Sequence, residues 1–142
     1  MRVPAQPADL GTIDSRDTAG SLIVLGEDDP DITDLLTARL GEAGYRIHGL
    51  ADGEAVVEAV LSSDPRLVIV DINMPKLDGP AAARKLRESG FQAPILALSG
   101  ATDRDDIEYA LASGCTEFLR KPPHIPTLKR LIQRLLVAPA AN

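Results

Sequence analysis

From Ser21 onward, short aliphatic runs alternate with longer stretches in which apolar residues recur every three or four positions. That alternation predicts repeated βα units and a parallel sheet. Five strands are expected, at Leu22–Leu25, Tyr45–Leu50, Leu67–Val70, Ile95–Leu98 and Thr116–Leu119. The first, third and fourth are unbroken aliphatic runs, as parallel strands covered by helices on both faces require, whereas the second and fifth are less regular.

Helical spacing fills the gaps. Ile32, Leu35, Leu36, Arg39 and Leu40 form a mostly apolar stripe, with Pro30 suited to a first turn and Gly41 or Gly44 to an end. Further helices are predicted over Gly53–Ser63, Pro80–Ser89 and Asp103–Ser113, the last turning Ile107, Ala110 and Leu111 inward, with Gly114 as the stop. A final helix, Ile125–Val137, places Leu128, Leu131, Ile132, Leu135 and Leu136 on one face. Residues 1–20, with Pro4, Pro7 and Gly11, sustain neither period and read as a flexible tail, so the folded domain is expected over 21–137. Residues 138–142 read as a short C-terminal tail, so no C-terminal output domain is expected in this chain.

Composition narrows the function. A chain of 142 residues allows one domain of ordinary size. Its 15 Lys and Arg against 21 Asp and Glu give a net charge of −6, which argues against direct nucleic-acid binding. Aromatic residues make up 3%, too few to stack bases. The single Cys115 reads as a small packed residue; it forms no internal disulfide and has no zinc-ligand spacing, which fits a reducing cytoplasm. No apolar run approaches the ~20 residues that span a bilayer, so no membrane insertion is expected.

In an open parallel sheet the ligand site lies beyond the carboxyl ends of the strands. The first strand runs through Gly26 into Glu27-Asp28-Asp29, the third stops at Asp71, the fourth at Ser99 and the fifth at Lys121. Carboxylates, a hydroxyl and an ammonium thus share one edge. Two carboxylates 4 Å apart at an effective dielectric of ~20 repel by about 4 kcal/mol, so the cluster needs either protonation or a cation, and a divalent cation is the economical answer. Mg²⁺ suits oxygen ligands and keeps positions open for a phosphoryl oxygen. A carboxylate beside it can act as a nucleophile toward phosphorus, with Lys121 and Ser99 meeting the new oxygens. Blander roles compete at each position. Asp29 before Pro30 equally suits a helix N-cap, Glu27 is expected in solvent, and Asp78 reads as a turn or cap residue. Asp71 should be partly buried and in need of a partner. His48 and His124 are expected on or near the surface rather than as ligands.

These motifs, Glu27-Asp28-Asp29, Asp71-Ile72-Asn73-Met74-Pro75-Lys76-Leu77-Asp78-Gly79, Ser99-Gly100-Ala101 and Lys121-Pro122, resemble the receiver domain of two-component response regulators over residues 21–137. The resemblance implies a flavodoxin-like α/β fold, a doubly wound five-stranded parallel sheet in the order 2-1-3-4-5 with helices on both faces. It makes Asp71 the phosphoacceptor, with Asp28, Asp29, Asp71 and the Asn73 carbonyl holding Mg²⁺. Lys121 would contact the phosphoryl group, Ser99 would be the switch hydroxyl, and Phe118, where Tyr is more usual, the coupled aromatic. Asn73 and Ala101 would flank the hydrolytic water and set the rate of dephosphorylation. A Lys121-Pro122 cis peptide is also implied, with Pro123 an unusual follower.

The resulting expectation is a stand-alone regulator, not an enzyme in the ordinary sense. It would receive a phosphoryl group from a histidine kinase or histidine phosphotransfer protein. It would then signal to a protein target through the fourth helix, fifth strand and fifth helix, including Tyr109. Three alternatives remain open at this point: the receiver of a larger regulator or hybrid kinase, a receiver-like module that is never phosphorylated, and an aspartyl-phosphate phosphatase. The last expects a second Asp where Asn73 stands, and a cap domain.

Overall fold

The computed structural model describes residues 20–100 and 104–137. Both tails and the segment 101–103, which includes Ala101, lie outside the described residues. Five strands and five helices alternate: β1 (Leu22–Gly26), α1 (Pro30–Glu42), β2 (Arg46–Leu50), α2 (Gly53–Ser63), β3 (Leu67–Asp71), α3 (Gly79–Glu88), β4 (Ile95–Ser99), α4 (Arg104–Ala112), β5 (Glu117–Arg120) and α5 (Ile125–Val137). All strand pairs are parallel, in the order β2-β1-β3-β4-β5. The expected doubly wound topology is the one observed.

Alternation along the strands decides what each face buries. Val24, Val68, Val70 and Ala97 face one core with Val56 and Val60 of α2, Ala83 and Leu86 of α3 and Ala110 of α4. Ile23, Leu25, Leu67, Ile69, Leu96 and Leu98 face the other, against Leu36 and Leu40 of α1 and the apolar stripe of α5. Apart from Ile95, the fully buried strand residues on the face carrying three helices are valine and alanine, whereas leucine and isoleucine fill the face carrying two. β3 and β4 are buried along their whole length, while the edge strand β2 leaves His48 exposed.

Element ends shift by a residue where cap chemistry decides them. Asp29, Asp52 and Asp78 each cap a helix with a side-chain oxygen, and α3 therefore starts at Gly79 rather than Pro80. Two inward assignments are corrected. Leu35 is 36% exposed because Ile32, Leu36 and Leu40, spaced by four, carry the packing of α1. On α4 only Ala110 is buried, and Leu111 is 42% exposed, one residue round from the contact line. Cys115 is buried, as expected.

Candidate functional site

Strand register builds the site. Gly26 pairs with Val70, so Glu27 follows β1 at the level where Asp71 ends β3, and Ser99 ends the neighbouring β4. Lys121 follows β5, its N–H donating to Ser99 O at 2.8 Å, and precedes a cis peptide to Pro122. Glycine closes the loop below. A Cβ on Gly79 would stand 2.3 Å from Asp71 O, so only glycine permits the turn that returns the chain into α3.

Lys121 is the hub. Its Nζ lies 2.9 Å from Asp71 Oδ2, 3.0 Å from Glu27 Oε1 and 3.2 Å from Glu27 Oε2. Asp71 Oδ1 accepts the Asn73 N–H at 3.1 Å, and Glu27 Oε2 accepts the Asp29 N–H at 3.1 Å. Burial raises the Glu27 carboxyl above its ordinary value, with the Lys121 and Asp29 hydrogen bonds pulling the other way. For Lys121 burial pulls down, but hydrogen bonds to Asp71 and Glu27 outweigh it and leave the ammonium above its ordinary value.

The acidic cluster is not quite the one expected. Glu27, Asp28 and Asp71 each bring a carboxylate oxygen within 4.8 Å of the others. Glu27 is 2% exposed, not solvated, because the strand end turns it under Lys121. Asp29 is not in the cluster. Its side chain accepts the Asp31 N–H at 2.9 Å as the N-cap of α1, and the capping role accounts for its placement. The missed signal for Glu27 was register: it is the first residue beyond β1, directly abreast of Asp71.

Ser99 is buried at the same edge and Phe118 is half-buried against the α2-side core. Asn73 is exposed on the loop after Asp71. His124 is exposed and bonds Thr127 at the start of α5, and it is not among the grouped ligand atoms. Three carboxylates against one ammonium leave two negative charges in excess, which one divalent cation would balance. Glu27 Oε1 is buried with an ion pair but no aligned hydrogen bond, so the hard-oxygen set has a lone pair to give. This donor set fits Mg²⁺.

Similarity to known proteins agrees with this chemistry. The family model "Response regulator receiver domain" matches residues 23–133. The receiver domain of sensor histidine kinase PA1611 from Pseudomonas aeruginosa PAO1, solved with a magnesium ion coordinated in its active site cleft, is 32% identical. It superposes with a TM-score of 0.80, covering 84% of this chain and 100% of that one. Sensory transduction protein BceR of Halalkalibacterium halodurans is 34% identical over 80% of this chain and 49% of its own length. DNA-binding response regulator MtrA of Mycolicibacterium smegmatis is 34% identical over 75% of this chain and 46% of its own. The chain spans about half the length of these curated relatives. No helix among the described residues is long and apolar enough to cross a membrane. The chain belongs to the response regulator receiver domain family, the phosphoaccepting signalling modules of two-component systems.

Proposed function

We propose that Asp71 accepts a phosphoryl group from a phosphohistidine of a histidine kinase or histidine phosphotransfer protein. A carboxylate oxygen of Asp71 attacks phosphorus; the new P–O bond forms as the P–N bond breaks, and a protonated phosphoimidazole departs as neutral imidazole. The observation that carries this reading is Lys121 Nζ, 2.9 Å from Asp71 Oδ2, where it would meet a phosphoryl oxygen borne on that carboxylate. Asp28 and Asp71, backed by Glu27 and the Asn73 carbonyl, would hold Mg²⁺. When bound, the ion supplies positive charge to the phosphoryl oxygens. Ser99 would hydrogen-bond the phosphorylated state, and Phe118, half-buried against the α2-side core, would carry the change outward.

The output surface proposed is α4, β5 and α5, offered to a downstream protein. A second reading, the receiver portion of a longer regulator, is supported by the length of the relatives, about twice the stretch matched. Intact mass after incubation with Mg²⁺ and a small acyl phosphate tests the first claim. A gain of one phosphoryl group in the parent and none in Asp71→Asn is the expected result.

A further inference from the structure

The loop from β3 to α3 is closed on itself. Gly79 N–H donates to Ile72 O at 3.1 Å, and the Gly79 Cα packs so near Asp71 O that no Cβ fits. Asp78, one residue before that contact, caps α3 by accepting the Ala81 N–H at 2.7 Å. A shift of the Asp71 backbone is therefore transmitted to Asp78, since close packing leaves no slack between them.

Asp78 also faces α4. The Tyr109 hydroxyl stands 3.5 Å from both Asp78 Oδ1 and Oδ2. An O–H···O bond closes at about 2.5–3.0 Å, so this contact is open by half an ångström or more. The helix carrying it is lightly held: of the nine residues of α4 only Ala110 is buried, while Tyr109 and Leu111 are exposed. Burial and the Asp78 carboxylate keep the phenol above its ordinary pKa, so Tyr109 remains a donor.

The geometry points to Tyr109 and Asp78 as a latch that closes when Asp71 carries a phosphoryl group, fastening α4 to the start of α3. The inference rests on Asp71 being the phosphoacceptor. The phosphoryl group adds about −1.5 to −2 charge. Ser99, the last residue of β4 on the way into α4, is drawn toward that charge, and a helix with one buried side chain follows it. Tyr109 then approaches Asp78 and closes the bond. The latch biases one arrangement of the exposed α4 face, which is how a local charge becomes a change in partner affinity.

The chain has two Tyr and no Trp, so in a Tyr45→Phe background Tyr109 is the sole emitter, and carboxylate hydrogen bonding quenches phenol emission. Tyr45→Phe protein is incubated with Mg²⁺ and acetyl phosphate, with intact mass and tyrosine emission followed together. A mass gain accompanied by a fall in emission is expected. The fall should shrink in Tyr45→Phe/Asp78→Asn, whose amide oxygen still caps α3. A mass gain with unchanged or raised emission, or a fall of equal size in the Asn variant, overturns the latch. No mass gain overturns the phosphoacceptor reading, and the latch with it.

Discussion

Lys121 Nζ and Glu27 Oε1 lie 3.0 Å apart, with the Glu27 side chain wholly buried and that of Lys121 16% exposed. This one contact explains why three carboxylates converge without driving the strand ends apart. An ammonium is shared between two of them, and the third, Asp28, stays in solvent.

Removing the ammonium should therefore expose the repulsion. Lys121→Gln loses charge-assisted hydrogen bonds worth about 1.5–3 kcal/mol, so its thermal midpoint without metal should fall by several degrees. Saturating Mg²⁺ should restore part of the loss, because a cation replaces a cation. Differential scanning calorimetry of parent and variant, with and without Mg²⁺, checks both halves. A variant as stable as the parent without metal would contradict the hub role.

The same contact sets a pH dependence. The Lys121 ammonium is held above its ordinary value of 10.5, so its stabilising contribution is complete below that pH and drains away as pH rises through the higher folded value. Glu27 acts in the opposite range. Its raised carboxyl value makes its ionisation cost stability as pH rises from about the ordinary 4.5, so acid titration does not report Lys121. The stability gap between parent and Lys121→Gln should be constant from neutral pH to about 10 and close above it. Chemical denaturation along that series measures the gap.

Metal affinity separates neighbouring acids. Asp28→Asn should weaken Mg²⁺ binding, since it removes a carboxylate from the cluster. Asp29→Ala should leave Mg²⁺ affinity unchanged while costing about 0.5–2 kcal/mol of stability through the lost cap of α1. Calorimetric titration of each variant with Mg²⁺ decides the matter. Weakened binding in Asp29→Ala would restore Asp29 to the ligand set.

Most of the fold was legible because burial on both faces writes itself into sequence as unbroken aliphatic runs. Leu67–Val70 and Ile95–Leu98 show it, and all their residues are buried. The edge strands were harder. Arg46–Leu50 is covered on few sides, so its polar positions blur the signal. For the site, Asp71, Ser99 and Lys121 were readable as strand ends. Glu27 and Asp29 were not, because three successive acids satisfy both the cap and the cluster, and only the register of β1 against β3 assigns each one. Leu111 was misplaced for a related reason: on so short a helix as α4, one residue of rotation separates core from solvent.

The lifetime of the phosphorylated state should depend on Ala101, two residues beyond Ser99. The resemblance to the family implies that this position and Asn73 would flank the attacking water, and an alanine has no hydrogen-bonding side chain with which to orient it. Ala101→Glu should shorten the acyl-phosphate half-life. Decay followed by intact mass in parent and variant checks this, and an equal or longer half-life in the variant would contradict it.

The central claim is that Asp71 itself carries the phosphoryl group. Borohydride reduces an aspartyl phosphate to homoserine, so peptide sequencing after phosphorylation with Mg²⁺ and acetyl phosphate locates the acceptor directly. Homoserine at position 71, with no reduced side chain at Glu27, Asp28, Asp29 or Asp78, is the predicted result. A reduced residue elsewhere, or none in a protein that has gained phosphoryl mass, would contradict it.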